Sequence, residues 1–179
     1  MRSSPFQCIL GADFERLPPA VRRVHGLSGA LTACGFADIT PAPGLAAWLI
    51  CALAGLPRAG RNVPVTVSFH PDGRGGERWK RRFGARRYAS TMRAGRGETL
   101  LIERIGPFDL FYRLTPQADG LCWQVTRWRF ATLPLPMWTL PAIRCVESGA
   151  GERFFFDIDI AFPMIGPVIH YRGWLELVR

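Results

Sequence analysis

The sequence of 179 residues predicts a mainly β protein, an antiparallel β-barrel of about 8–10 strands, lipocalin-like in general architecture, with two short N-terminal helices. Three observations lead there. From Val63 onward, apolar and polar residues alternate with a period of two, in runs that recur about every ten residues. Turn-formers mark the junctions: Pro71-Asp72-Gly73, Gly84, Gly95-Arg96-Gly97, Gly106-Pro107, Asp119-Gly120, Ser148-Gly149 and Gly166-Pro167. No helical pattern separates these runs, so neighbours pair antiparallel, and the resulting meander must close into a barrel or fold into a sandwich.

The elements follow in order. In GADFERLPPAVRRVHG, Phe14, Leu17, Val21 and Val24 recur at helical intervals. Pro18 and Pro19 are tolerated only in a first turn and Gly26 suits a C-cap, which predicts a helix from Pro18 to His25. An extended piece follows from Ala30 to Ile39. GLAAWLICALAGLP, Gly44 to Pro57, predicts a second helix, well short of the about 20 residues needed to span a membrane. Leu45, Trp48, Leu49, Ala52, Leu53 and Leu56 fall on one side of it. An interfacial helix carries a charged face, and no charge stands between Pro43 and Pro57, so burial as a cap is expected over a membrane-dipping or partner-binding role. Both helices are expected to close one end of the barrel.

NVPVTVSFHPDG sets Val63, Val65, Val67 and Phe69 against Pro64, Thr66, Ser68 and His70 and predicts the first clear strand. Further strands are predicted from Glu77 to Phe83, Arg86 to Met92, Thr99 to Ile105, Phe108 to Leu114, Leu121 to Phe130, Arg144 to Val146, Arg153 to Phe162 and Val168 to Val178. LPLPMWTLPAI, Leu133 to Ile143, breaks the rhythm with three prolines and reads as a loop or edge crossing one end of the sheet. One domain over 1–179 is the simplest account, with helical caps within 1–60 and the barrel over 63–179.

Composition narrows the class. The five cysteines are scattered and contain no CxxC pair, which argues against a disulfide framework and a zinc site and for a reducing, cytoplasmic compartment. MRSSPFQCILGADFE carries an apolar run shorter than a secretory signal requires. The net charge is +9, carried by arginine, with Lys80 the single lysine. RWKRRFGARRYASTMRAGR, Arg78 to Arg96, is the densest basic run and has no acidic residue. In a hairpin turning at Gly84-Ala85, Trp79, Arg81 and Phe83 share one face and Arg78, Lys80 and Arg82 the other, the look of a solvated outer surface. The competing reading is a protein- or membrane-surface module working through hairpin 78–96 and the Pro-rich loop. No nucleic-acid reader motif accompanies the charge, so no nucleic-acid partner is expected.

Several phrases together resemble a bacterial family, domain of unknown function 4166. They are GADFERLPPAVRRVHG, VPVTVSFHPDGRGGERWKRRFGARRYAS, ERIGPFDLFYRL, WRFATLPLPMW and FFFDIDIAFPMIGPVIHYRGWLE, in order over most of the chain. The resemblance implies a domain that stands alone or as a tail fused to a nucleotide-binding, oxidoreductase-like partner domain. It implies no mechanism, and these residues contain no GxGxxG.

The candidate site comes from the strands. Phe154, Phe156, Ile158, Ile160 and Phe162 share one face, with Phe155, Asp157, Asp159 and Ala161 opposite. Asp157 and Asp159, about 7 Å apart, have acid–base spacing but are expected to face solvent. Three other strands place a polar group on an apolar face: Glu103 with Leu101 and Ile105, Arg127 with Trp123 and Val125, Tyr171 with Ile169 and Leu175. Inside a barrel just wide enough for one small ligand, Glu103, Arg127 and Tyr171 would hold a polar head while Trp123, Phe154, Phe156 and Ile158 hold an apolar body. The alternative is a Glu103–Arg127 ion pair that satisfies only itself. No GxSxG, HExxH or P-loop is present and no cofactor is expected, so binding of a small, partly apolar molecule ranks ahead of the surface module and of an enzyme with chemistry in the same cavity.

Overall fold

A computed structural model describes residues 3–26, 28–95 and 100–178. Arg96, Gly97 and Thr99, read above as the end of the basic run, a turn and the start of a strand, lie outside the described residues. Three α-helices, α1 (Pro5–Leu10), α2 (Pro19–His25) and α3 (Leu45–Leu53), accompany the strands β1 (Leu31–Pro41), β2 (Gly60–Pro71), β3 (Gly76–Phe83), β4 (Arg86–Ala94), β5 (Leu100–Ile105) and β6 (Phe108–Gln117). The rest of the sheet is β7 (Gly120–Phe130), β8 (Leu133–Pro134), β9 (Ala142–Ala150), β10 (Arg153–Phe162) and β11 (Gly166–Leu177).

All pairings are antiparallel, in the order β6-β5-β4-β3-β2-β1-β11-β10-β9-β7, and β6 also pairs with β7. That last pairing closes a barrel. The two-residue β8 lies outside the ring, paired with Arg129 and Phe130. It belongs to the Pro-rich segment, which otherwise forms a loop with a single 3-10 turn at Met137–Thr139, as prolines that cannot donate to a ladder require.

The barrel starts at Leu31, ahead of the boundary at residue 63 that alternation suggests. β1 pairs with both β2 and β11, and its inward positions are Ala33, Gly35, Ala37 and Ile39. Small residues give a weak hydrophobic period, so the strand reads only as an extended piece. They also make room: Gly173 of β11 lies where a Cβ would come 2.2 Å from the Phe36 carbonyl and 2.8 Å from the Phe156 ring. Glycine there lets Phe156 project across the strand.

The two expected helices do not close the same end. α2, with α1 before it, covers the end where β9 finishes and β10 begins. α1 is fixed by a reciprocal cap in which Gln7 N donates to Ser4 Oγ at 3.1 Å and Ser4 N to Gln7 Oε1 at 2.9 Å. Its Phe6 is completely buried and stacks on His25 with ring centroids 3.9 Å apart. α3 sits at the opposite end, against β11 and β1.

The face of α3 also differs from the expected one, of whose residues only Leu56 packs on the core. Ala47 is buried and Ile50, Cys51 and Leu56 pack on the core, while Leu45, Trp48 and Leu53 are 71, 62 and 87 % exposed. The physical reason is that a helix apolar all round has no periodicity to choose a face. The small side lets the helix axis approach β11 closely, with Cys51 Sγ 3.9 Å from the Val168 carbonyl.

Candidate functional site

The inward faces of the strands enclose a cavity of about 420 Å³. Phe154, Phe156, Ile158, Ile160 and Phe162 of β10 all line it, because the period of two holds along the whole strand, and Trp123 faces them from β7. At the other end the lining includes Ile50, Leu53 and Leu56. Leu53 is also strongly exposed, so the cavity reaches the surface beside α3.

A polar belt crosses this apolar wall. Arg81 Nη2 donates to Glu103 Oε1 at 3.1 Å and Arg81 Nη1 to Ser90 Oγ at 2.7 Å. The guanidinium also lies over the Trp79 and Tyr88 rings, 4.7 and 5.3 Å from their centroids. Burial is the largest influence and works against the Arg81 charge, but Glu103 together with Tyr88 and Tyr171 outweighs it and holds the guanidinium above its ordinary pKa. Tyr112 lies against Glu103 and Tyr171 against Tyr88. Burial pushes all three phenols upward, Tyr112 and Tyr171 well above the usual tyrosine range, so they stand as neutral donors. Tyr88, Tyr112 and Tyr171 are all the tyrosines of the chain, and every one lines the cavity.

The floor is a second polar group. His25 Nε2 and Glu147 Oε2 are 2.7 Å apart, and Trp123 Nε1 donates to the same carboxylate oxygen at 3.0 Å. Beside them Trp79 Nε1 donates to Glu77 Oε2 at 2.8 Å. Burial raises the Glu77 pKa, which the indole bond partly opposes. Both indoles thus present their apolar rings to the cavity and their N–H groups to buried carboxylates.

Six of the seven residues selected from sequence line one space: Glu103, Trp123, Phe154, Phe156, Ile158 and Tyr171. Arg127 does not. It is exposed on the outer wall, its guanidinium 4.4 Å from the Phe111 ring centroid, and the ion partner of Glu103 is Arg81. The cause is a bulge. Tyr112 pairs with Val125 but Phe111 pairs with Arg127, leaving Thr126 as an extra residue whose hydroxyl donates to the Phe111 carbonyl at 3.1 Å. Inserting one residue flips every later side chain, so Arg127 turns out and Trp128 turns in to line the cavity.

Alternation places Arg81 with Trp79 and Phe83, but the density of surrounding charge gives the whole hairpin the look of a solvated surface. Glu147, in phase with Ile143 and Cys145, carried the same kind of signal. His25 carried none, because nothing in a helix C-terminus announces a partner more than a hundred residues away.

On the outer wall Asp157, Asp159 and His170 have ligand atoms within 4.8 Å of one another, with His170 Nε2 2.9 Å from Asp157 Oδ1. Arg172 stands opposite Asp157 and Arg144 opposite Asp159. The His170 contact engages Asp157, and both side chains remain partly exposed.

These features define a class: an antiparallel β-barrel domain whose interior is a mainly apolar cavity crossed by a polar belt. Residues 17–175 match the family described as Domain of unknown function (DUF4166), and the chain belongs to that family. Among solved structures, the crystal structure of Rv2717c from M. tuberculosis is similar, with 12 % identity and a TM-score of 0.48, over 91 % of this chain and 99 % of that one. No curated protein matches. No helix among the described residues is long and apolar enough to cross a membrane.

Proposed function

We propose that the barrel binds one small amphiphile, with its apolar body against Phe154, Phe156, Ile158, Phe162 and Trp123 and its head at the Arg81–Glu103 pair and the three tyrosines. The observation that carries this reading is the cavity of about 420 Å³, within the usual range for ligand sites, set in an otherwise close-packed core. Water would find partners only along the polar belt.

The belt also indicates the head. Arg81 and Glu103 already neutralise one another, and the phenols are uncharged, so a neutral hydroxyl or carbonyl group can bond there without burying a net charge. A carboxylate would have to compete with Glu103 for Arg81. A long-chain alcohol or ester is therefore preferred over the corresponding fatty acid.

The test is a titration of the purified protein with long-chain alcohols, esters and fatty acids, followed by indole fluorescence and thermal melts. One-to-one saturation by the neutral compounds is expected, with stabilisation of about 2.7 kcal/mol at a hundredfold excess over Kd. Ile158→Trp, which fills the cavity from an inward position, should weaken capture at least about tenfold while the barrel still melts cooperatively. Absence of any melt shift or fluorescence change across the whole panel would overturn the reading.

A further inference from the structure

The two ends of the barrel differ in chemistry. At the helical end the connections carry Asp72, Arg74, Asp119 and Glu152, and the segment over α1 and α2 adds Asp13, Glu15 and Arg16. At the cavity mouth the links β3–β4, β5–β6, β7–β9 and β10–β11 contain no charged residue, and the β1–β2 link that holds α3 is uncharged over residues 41–57. Several of these segments turn large apolar side chains outward. Trp138 is 72 % and Met164 98 % exposed, alongside Leu45, Trp48, Leu49 and Leu53 of α3. Isolated exposed apolar residues are ordinary; their concentration on every long connection at one end is not.

Immediately behind this rim the exposed charge is predominantly cationic. Arg58 and Arg61 follow α3, Arg87 follows the β3–β4 turn, and Arg127 lies near the end of β7, all exposed. Of the acids close to the rim, Asp109 takes two bonds from Arg104, at 2.6 and 2.9 Å, while Asp38 accepts from the Asn62 amide at 2.9 Å and Asp159 is exposed. An apolar tip with a cationic collar complements a bilayer, where hydrocarbon lies beneath a plane of phosphates. Trp48 and Trp138 are of the residue type that settles at that boundary.

We propose that the mouth of the barrel docks on the surface of an anionic membrane, inserting α3 and the loops around Trp138 and Met164 into the headgroup region, with the arginine collar on the lipid phosphates. The cavity, which reaches the surface at Leu53, then opens toward the hydrocarbon. Docking stands on the rim alone; only the direct passage of a ligand rests on the proposed binding function. The working surface is the mouth, and the strand faces of the basic hairpin contribute only where they border it.

The experiment is co-sedimentation of the full chain with vesicles of neutral phosphatidylcholine or of phosphatidylcholine mixed with phosphatidylglycerol, with tryptophan quenching by brominated acyl chains. Binding to the anionic vesicles, weakened by salt and accompanied by quenching, is expected. Arg58→Gln, Arg61→Gln and Arg87→Gln should each lower partitioning about fivefold. Trp48→Gln with Leu49→Gln and Trp138→Gln, all at exposed positions outside the cavity lining, should abolish quenching and reduce partitioning at least about tenfold, with an unchanged thermal melt. Failure of the wild type to bind anionic vesicles at low salt overturns docking, as does binding that survives the triple change or a stable dimer that the triple change dissociates. Capture of alcohols in vesicle-free solution reads the cavity independently, so docking without capture and capture without docking are distinguishable.

Discussion

Arg81 is the residue on which the interior depends. It is a cation inside an apolar barrel, tolerated because Glu103, Ser90 and two aromatic faces surround it. Removing one partner of such a pair is worse than removing both. Arg81→Met keeps the stem and strands Glu103, and is expected to cost about 3–5 kcal/mol in urea melts. Adding Glu103→Gln should recover much of that loss, because Tyr112 can still bond to an uncharged amide. A double variant no more stable than the single one would show that Glu103 is not the group left stranded. Arg127→Met, by contrast, removes an exposed side chain that stacks on Phe111 and should cost less than about 1 kcal/mol.

At the scale of the element, β7 shows how one residue sets the wall. Trp123 and Val125 face in, the bulge at Thr126 resets the phase, and Trp128 faces in afterwards. Thr126→Ala removes one hydroxyl bond and should cost about 1 kcal/mol. Deleting Thr126 should leave Arg127 outward and Trp128 inward, since Val125 and Arg127 then follow one another in the regular ladder they already make with Tyr112 and Phe111, and the Trp128 emission should not move. A red shift of the Trp128 emission in the deletion would rule out the bulge as the cause. β10 has no interruption before Ile160, and all five of its apolar alternates line the cavity as a period of two requires.

For the whole molecule, the buried phenols make stability depend on alkaline pH. The folded protein holds Tyr88, Tyr112 and Tyr171 protonated above their ordinary value of 10.0, and Cys145 above 9.0, chiefly through burial. The unfolded chain releases those protons at the ordinary values. The stabilising contribution is therefore fully present below pH 9 and is lost as pH rises past 9 and 10 toward the raised folded values, at about 1.4 kcal/mol per pH unit for each group in its window. Lys80 is the single lysine and arginine stays charged in this range, so little surface titration overlaps. Urea midpoints should fall steeply between pH 9 and pH 11, and less steeply in Tyr171→Phe; midpoints that stay level across the window would contradict the assignment.

Period-two alternation and turn chemistry are local, and they determined by themselves that this chain is an antiparallel meander, which strands it has from Val63 onward, and that one face of β10 is a continuous aromatic wall. Patterns of the same local kind put Glu103 and Tyr171 on inward faces. What a local pattern cannot contain is a choice among equals or a partner across the ring. Only the tertiary structure decided that β1, built from small residues, completes the barrel between β2 and β11, so that the first and last strands of the chain meet. It chose which side of the uniformly apolar α3 packs, because close approach to β11 favours small residues there. It gave Glu103 to Arg81 and not to Arg127, because a one-residue bulge reverses a face and an ion pair follows distance in space, which separation along the chain does not report.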